Sequence, residues 1–242
     1  KKDYSYMFPL GLAYISAVLK KAGYQLDCLN LNHHDGTIKE IIDHHLNKRK
    51  YDFIGTGNNA LEYAQTKIII ETVHKHYSKP KIILGGPIIT ATPELIFNNL
   101  NPDFGVIGEG EETILELLKF LQKNKNLEKV KGIIYRENNG KIKITEKRQP
   151  IEDLNKIPFP NVEDMGFEEQ IDHLCSNVFT SYNAFDYLRL YPILGSRSCP
   201  FQCTFCSSQS MWGNVCRQRS PMHILSEIEM LLSNYGVKEI AF

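Results

Sequence analysis

The 242-residue chain carries no net charge, because 28 Lys and Arg balance 28 Asp and Glu. Proteins that bind nucleic acid usually show a basic excess, so that class of partner is not expected. The local lysine cluster from Lys119 to Lys131 is interrupted by Glu128 and reads as a solvated helix end. No run approaches the about 18 apolar residues that span a bilayer. No secretory signal follows the opening Lys1, Lys2 and Asp3. Six cysteines are too few for a disulfide scaffold at this length, so a reducing, cytoplasmic setting is expected. The chain does not open with Met, and Phe242 closes what reads as a strand. It is therefore expected to be a fragment of a longer protein.

What is present first is alternation of helix and strand. "PLGLAYISAVLKKAGY" places Pro9 near a helix start and Gly23 at its left-handed end, with Leu12, Ile15, Val18, Leu19 and Ala22 as the expected apolar stripe. "QLDCLNLN" alternates like a strand, and Ile38, Ile41, Ile42 and Leu46 mark a second helix. "YDFIGTGNN" and "KPKIILGGP" read as strands around the helix "LEYAQTKIIIETVHKHY". The short helix "TPELIFNNL", the strand "PDFGVIGEG" and the helix "EETILELLKFLQKN" follow. Such alternation predicts a parallel sheet covered on both faces. A doubly wound sheet normally opens with a strand, so the first strand is expected to precede this chain.

From about Leu127 the pattern changes. "KGIIYRENNGKIKITEK" is a hairpin turning at Asn139-Gly140, and Pro150, Pro158 and Pro160 punctuate an extended linker. Residues 161–190 show no clear period. "LRLYPILGSRS" then reads as a strand that delivers a cysteine-rich loop. Ser220 and Pro221 open a helix with Ile224, Leu225, Ile228, Leu231 and Leu232 on one face, Gly236 ends it, and "VKEIAF" is a further strand.

Cys199, Cys203 and Cys206 fall within the loop at C-x3-C-x2-C spacing. Thiolates at this density suit soft metals, and iron–sulfur clusters are held by cysteine. Three ligands on a four-iron cluster would leave one iron open, much as catalytic zinc sites keep a free position. The competing readings are a zinc site that recruits Cys216, an electron-carrying cluster completed by another cysteine, and unliganded thiols, which would be an oxidation liability.

"CPFQCTFC" resembles the cluster loop of radical S-adenosylmethionine enzymes, including the aromatic Phe205 before the last cysteine. The strand before it and "RQRSPMHILSEIEMLLSNYGVKEIAF" after it resemble the start of that family's partial (β/α) barrel. The resemblance implies a 4Fe–4S cluster on the three cysteines, with S-adenosylmethionine chelating the open iron. One electron from the cluster would then release a 5′-deoxyadenosyl radical that takes hydrogen from an unactivated substrate carbon. Ser198 departs from the glycine that relatives often carry there. The glycine-rich segment expected to hold the methionine part of the cosubstrate would follow the second strand, beyond Phe242, so this fragment alone is expected to be inactive.

"PLGLAYISAVLKKAGY", "LGGP" and "DFGVIGEGEETILELL" together resemble the cobalamin-binding domain joined to many of these enzymes. In that fold, loops at the carboxyl ends of parallel strands form the ligand crevice. Gly55, Thr56, Gly57, Gly85, Gly86, Gly108, Glu109 and Gly110 are the expected contacts, with Phe205 beside the cluster. Each glycine turn alone is ordinary strand-to-helix chemistry, and Glu109 and Glu111 also suit a helix N-terminus. His33 has Gly36 at the gap of the D-x-H-x-x-G cobalt-ligand segment, but Leu31 stands where Asp is required. His33 and His34 are therefore read as exposed loop histidines. His44, His45, His74 and His76 are assigned to amphipathic helices, and Cys28 is read as a small buried hydrophobe. Methylthiotransferases, which carry a second three-cysteine cluster, fit poorly because only Cys28 and Cys175 precede the loop.

The expected fold is thus α/β. A doubly wound, Rossmann-like cobalamin-binding domain (1–126) precedes a hairpin and linker (127–190) and the start of a partial radical S-adenosylmethionine barrel (191–242). The resemblance implies methylation of an unactivated carbon in a small, natural-product-like substrate, with an external flavodoxin- or ferredoxin-type electron donor. Cyclisation or rearrangement with the same cofactors is the second reading, and a non-catalytic zinc-stabilised α/β binding module is the third.

Overall fold

Residues 35–152 and 198–216 make one compact unit, and residues 1–34, 153–197 and 217–242 make the other. The structure, a computed structural model, describes residues 8–171 and 190–242. Cys175, Leu188 and the opening Lys1, Lys2 and Asp3 lie outside the described residues.

In the first unit, helix α2 (Ile38–Lys48) is entered through a capping box. The Thr37 hydroxyl accepts the Glu40 N–H, and the Glu40 carboxylate accepts the Thr37 N–H. Ile41, Ile42 and Leu46 are buried, as the helical period predicts, and α2 packs on α3 (Tyr63–Lys75). Strands β1 (Phe53–Gly57), β2 (Lys81–Gly85) and β3 (Phe104–Val106) run parallel in that order, so the α/β reading holds. In β2, Ile82, Ile83 and Leu84 are all buried, the mark of a parallel strand covered on both faces. Between β2 and β3 lie α4 (Pro87–Ala91), which hydrophobic periodicity does not reveal, and the expected α5 (Pro93–Leu100). Helix α6 (Gly110–Gln122) follows β3 and buries Ile114, Leu117 and Leu118.

The expected hairpin is present and extends this sheet. Strand β4 (Ile133–Arg136) pairs antiparallel with β3, and β5 (Ile142–Ile144) pairs with β4, giving the order β1-β2-β3-β4-β5. Its turn is as read, with Gly140 at φ +85° and the Lys141 N–H donated to Asn139 Oδ1 at 2.8 Å.

In the second unit, α1 (Leu10–Lys21) turns a different face inward from the one its leucines suggest. Ala13, Tyr14, Ser16, Ala17 and Val18 are buried, whereas Leu12, Ile15 and Leu19 are only half-buried and Ala22 is exposed. The small residues let another chain segment approach closely, and the Asn161 N–H reaches the Ala13 carbonyl at 3.0 Å. "QLDCLNLN" forms no strand, since the alternation finds no ladder partner among the described residues. Asn30 instead caps a short turn at Leu31–His33. Cys28 is half-buried against the core, and burial pushes its thiol pKa up.

That core gathers Phe8, Phe167 and Tyr191, with Phe167 edge-on to both others at 5.7 and 5.2 Å between ring centres. Helix α7 (Phe167–Ile171) contributes Phe167. Strand β6 (Leu190–Pro192) pairs parallel with β9 (Glu239–Ala241), and α9 (Pro221–Tyr235) connects them. The start of α9 is as predicted, with Ser220 Oγ accepting the His223 N–H and Pro221 at its first position. Gly236 closes it in the left-handed region. Strands β7 (Ser196–Arg197) and β8 (Arg217–Gln218) pair antiparallel and form the stem from which residues 198–216 leave and return. Among the described residues, no helix is long and apolar enough to cross a membrane.

Candidate functional site

Because β1, β2 and β3 are parallel, their carboxyl ends share one edge of the sheet. Gly55, Thr56 and Gly57 are the last residues of β1 itself rather than a loop beyond it. Gly57 lies opposite Gly85, and a Cβ on Gly57 would stand 2.9 Å from both the carbonyl carbon and oxygen of Gly85. Only glycine allows the two strand ends so close. At Gly55 and Gly85 themselves, an added Cβ would meet nothing within 4 Å. The two strand ends are therefore in close contact at Gly57, while there is room beside Gly55 and Gly85.

Gly86 (φ +82°) turns the chain into α4, and Gly108 (φ +80°) turns it toward α6. The Gly108 N–H donates to Thr90 Oγ1 at 3.0 Å, and Thr90 Oγ1 donates to the Gly86 carbonyl at 2.9 Å. Glu109 is buried, and its Oε2 accepts the Ile151 N–H at 2.6 Å, so this carboxylate holds the irregular segment that leaves the hairpin. Gly110 opens α6.

Of the three clustered cysteines, Cys199 is half-exposed, Cys203 and Cys206 are exposed, and all are free thiols. A tight turn joins the last two, with the Cys206 N–H donated to the Cys203 carbonyl at 3.1 Å. Among the described residues, no three His, Cys, Asp or Glu side chains stand close enough to hold a metal ion. Cys216, the proposed fourth zinc ligand, is likewise exposed and free. The donor chemistry of Cys199, Cys203 and Cys206 fits an iron–sulfur cluster, but the thiols are not gathered around a common point. Phe205 and Phe201 expose 91% and 72% of their surface, an unusual outlay of aromatic area on one loop.

Ser198 begins this loop at φ +77°, the backbone region that favours glycine. Its hydroxyl donates to the Gly213 carbonyl at 2.5 Å and so ties the loop's two ends. After Cys206 the chain forms α8 (Ser208–Trp212), which packs against α4. The Met211 carbonyl lies 3.8 Å from where a Cβ on Gly108 would stand. A small cavity here is lined by Gly108, Glu109, Arg148, Ser210, Met211 and Gly213. The thiol-bearing loop therefore rests, through α8, on the same edge that carries Gly86 and Gly108.

Sequence reading missed the buried charges of the second unit. Arg219 donates Nε to His223 Nδ1 at 2.9 Å and Nη1 to the Leu194 carbonyl at 3.1 Å, and it pairs with Glu227. Burial and the Arg219 charge push the His223 pKa down, while burial raises that of Glu227 against the opposing pull of Arg219. A visible signal was Glu227 itself, an acid lying between Ile224 and Leu231 on an apolar face. Leu225 and Leu232, assigned to that face, are half exposed. His33 also departs from expectation. Its side chain is only 5% exposed, lies 3.2 Å from Glu169, and occupies the space a Cβ on Gly166 would need. His76 is buried too, between Ser78 and Asn47.

Comparison with known proteins agrees with this arrangement. Residues 2–118 match the B12 binding domain. Across 97% of its length the chain is 28% identical to an uncharacterized methyltransferase, PH0819, of Pyrococcus horikoshii, and covers 48% of that protein. It is 25% identical to the anaerobic magnesium-protoporphyrin IX monomethyl ester cyclase of Rubrivivax gelatinosus, over 95% of this chain and 40% of that one. The chain thus spans about half the length, or less, of these curated relatives. Among solved structures, the radical S-adenosylmethionine methyltransferase TsrM from Kitasatospora setae, with cobalamin and a [4Fe-4S] cluster bound, matches with a TM-score of 0.73. That match has 16% identity and covers 99% of this chain and 45% of TsrM. Residues 2–118 thus belong to the B12 binding domain family, and the chain, with a cysteine loop on a βα stem behind that domain, shares its fold with a cobalamin-bound radical S-adenosylmethionine methyltransferase.

Proposed function

We propose that the whole protein is a cobalamin-dependent radical S-adenosylmethionine enzyme that methylates an unactivated carbon of a small organic substrate. The observation that supports this reading is the packing of α8, the helix that follows the three thiols, on α4, the helix that follows Gly86. Cys199, Cys203 and Cys206 would hold the 4Fe–4S cluster. Gly55, Thr56, Gly57, Gly85, Gly86 and Gly108 would offer their backbone to cobalamin. When bound, the cluster supplies single electrons for cleaving S-adenosylmethionine, and cobalamin supplies methyl carriage. The protein's part is to position and to exclude water. Ser198 and α8 fix the loop, Glu109 holds the segment beneath it, and Phe201 and Phe205 offer apolar cover. The electron donor would be a flavodoxin- or ferredoxin-type protein.

The test is metal and cofactor analysis of the full-length protein purified without oxygen. About four irons per chain with matching sulfide, together with bound cobalamin, are expected, and Cys206→Ala should lose the iron. One zinc and no iron would replace the enzyme reading with a zinc-stabilised module. Similarity to the Rubrivivax cyclase favours a second reading, ring closure with the same cofactors. Product mass separates the two, since methylation adds one methylene unit and cyclisation does not.

A further inference from the structure

The two positive-φ glycine turns of the sheet edge follow different strands, and one side chain joins them. Thr90, in α4, is buried at 7% exposure. Its hydroxyl donates to the Gly86 carbonyl and accepts the Gly108 N–H. Thr72 and Thr113 make the ordinary bond back to a carbonyl four residues earlier, at Ile68 and Glu109. Thr90 makes that bond and also receives a donor from another loop. Gly86 lies just past the end of β2 and Gly108 two residues past β3, so the sheet ladder fixes neither. With one donor and two acceptor sites, a hydroxyl can link a carbonyl to an amide, which no apolar side chain of that size can do.

We propose that Thr90 is a positioning residue for cobalamin. It locks the turn after β2 to the turn after β3 and so sets the spacing of the backbone that the ligand meets. The proposal rests on the cobalamin reading above. Because α4 also carries α8, the same lock fixes the platform under the cysteine loop.

The test uses the full-length protein and hydroxocobalamin titrated by visible absorption, with Thr90→Val and Thr90→Ser compared. Val keeps the volume and removes the hydroxyl, whereas Ser keeps the hydroxyl. Loss of the bridge should weaken binding about tenfold in T90V, with T90S staying within about twofold of wild type. Equal affinity in T90V and wild type overturns the proposal. A loss in T90S as large as in T90V also overturns it, because packing of the methyl would then be responsible. Hydrogen exchange at the Gly108 amide is read on wild type alone and holds even if T90V fails to fold. Protection is expected there, and exchange at an open-loop rate overturns the lock. A wild type that takes up no hydroxocobalamin sinks the cobalamin reading and this proposal together, whereas tight binding unchanged in T90V sinks this proposal alone.

Discussion

Arg219 and Glu227 form a buried ion pair, with Nη1 and Oε2 2.5 Å apart and side chains 4% and 0% exposed. Arg219 also holds the Leu194 carbonyl, and its own N–H reaches the Gly195 carbonyl at 2.9 Å. The pair therefore ties the chain after β6 to α9, at the base of the stem from which the cysteine loop leaves. Removing one partner strands the other charge in a dry interior, which costs more than the intact pair contributes. Glu227→Leu should lower unfolding free energy by about 3–5 kcal/mol, read by urea denaturation. The double variant, in which Arg219→Met accompanies Glu227→Leu, should recover most of that loss. A double variant as unstable as the single one would show that the hydrogen bonds of Arg219, not its buried charge, dominate.

His223 offers a pH test. Its Nδ1 accepts from Arg219 Nε, a role open only to the neutral ring, and its pKa is held below the ordinary 6.5 by burial and by Arg219. The unfolded chain then binds the extra proton first as pH falls. The stability from this group is complete above 6.5 and drains away as pH drops through the folded-state pKa. Melting temperature should decline on acidification from about 6.5 down to the folded-state pKa and level off, for this group, below it. His223→Asn, which retains an acceptor without the titration, should give a shallower decline. An unchanged slope would assign the acid sensitivity elsewhere.

Ser198 combines a backbone cost with a hydrogen bond. A non-glycine residue at positive φ loses about 1 kcal/mol, and the bond to Gly213 returns about as much. Ser198→Ala keeps the strain and loses the bond, so it should be less stable by about 1 kcal/mol. Ser198→Gly loses both and should lie close to wild type. Denaturant midpoints rank the three, and a Gly variant clearly weaker than the Ala variant would contradict this balance.

Gly57 and Gly85 face each other across β1 and β2 yet should respond oppositely. Gly57→Ala drives a methyl against the Gly85 backbone, which cannot rotate aside, at a cost of about 1–3 kcal/mol. Gly85→Ala meets open space, so the melting temperature should hold while hydroxocobalamin affinity drops. Full affinity in G85A would move the ligand away from that part of the edge.

Much of the fold is legible before any coordinates. The apolar periods of α2 and α6, the continuous run in β2, the Asn139-Gly140 turn and the Ser220-Pro221 start of α9 all express local rules that act within a few residues. Errors arise where a distant partner chooses. The inward face of α1 is set by the segment at Asn161, which needs Ala13 and Ala17 rather than bulk. "QLDCLNLN" has a strand's alternation but no neighbour to pair with among the described residues. His33 looks like a loop residue until Gly166 makes room for it.

The sequence by itself determined the α/β order, the glycine-ended strands and a three-thiol loop, because propensity, turn chemistry and ligand spacing are written in adjacent residues. Only the tertiary structure decided that α8 lies on α4, that Thr90 bridges two turns, and that Glu227 is buried against Arg219. Those relationships join residues far apart in the chain, and each depends on burial, which removes water and leaves a polar group only the partners that folding brings to it.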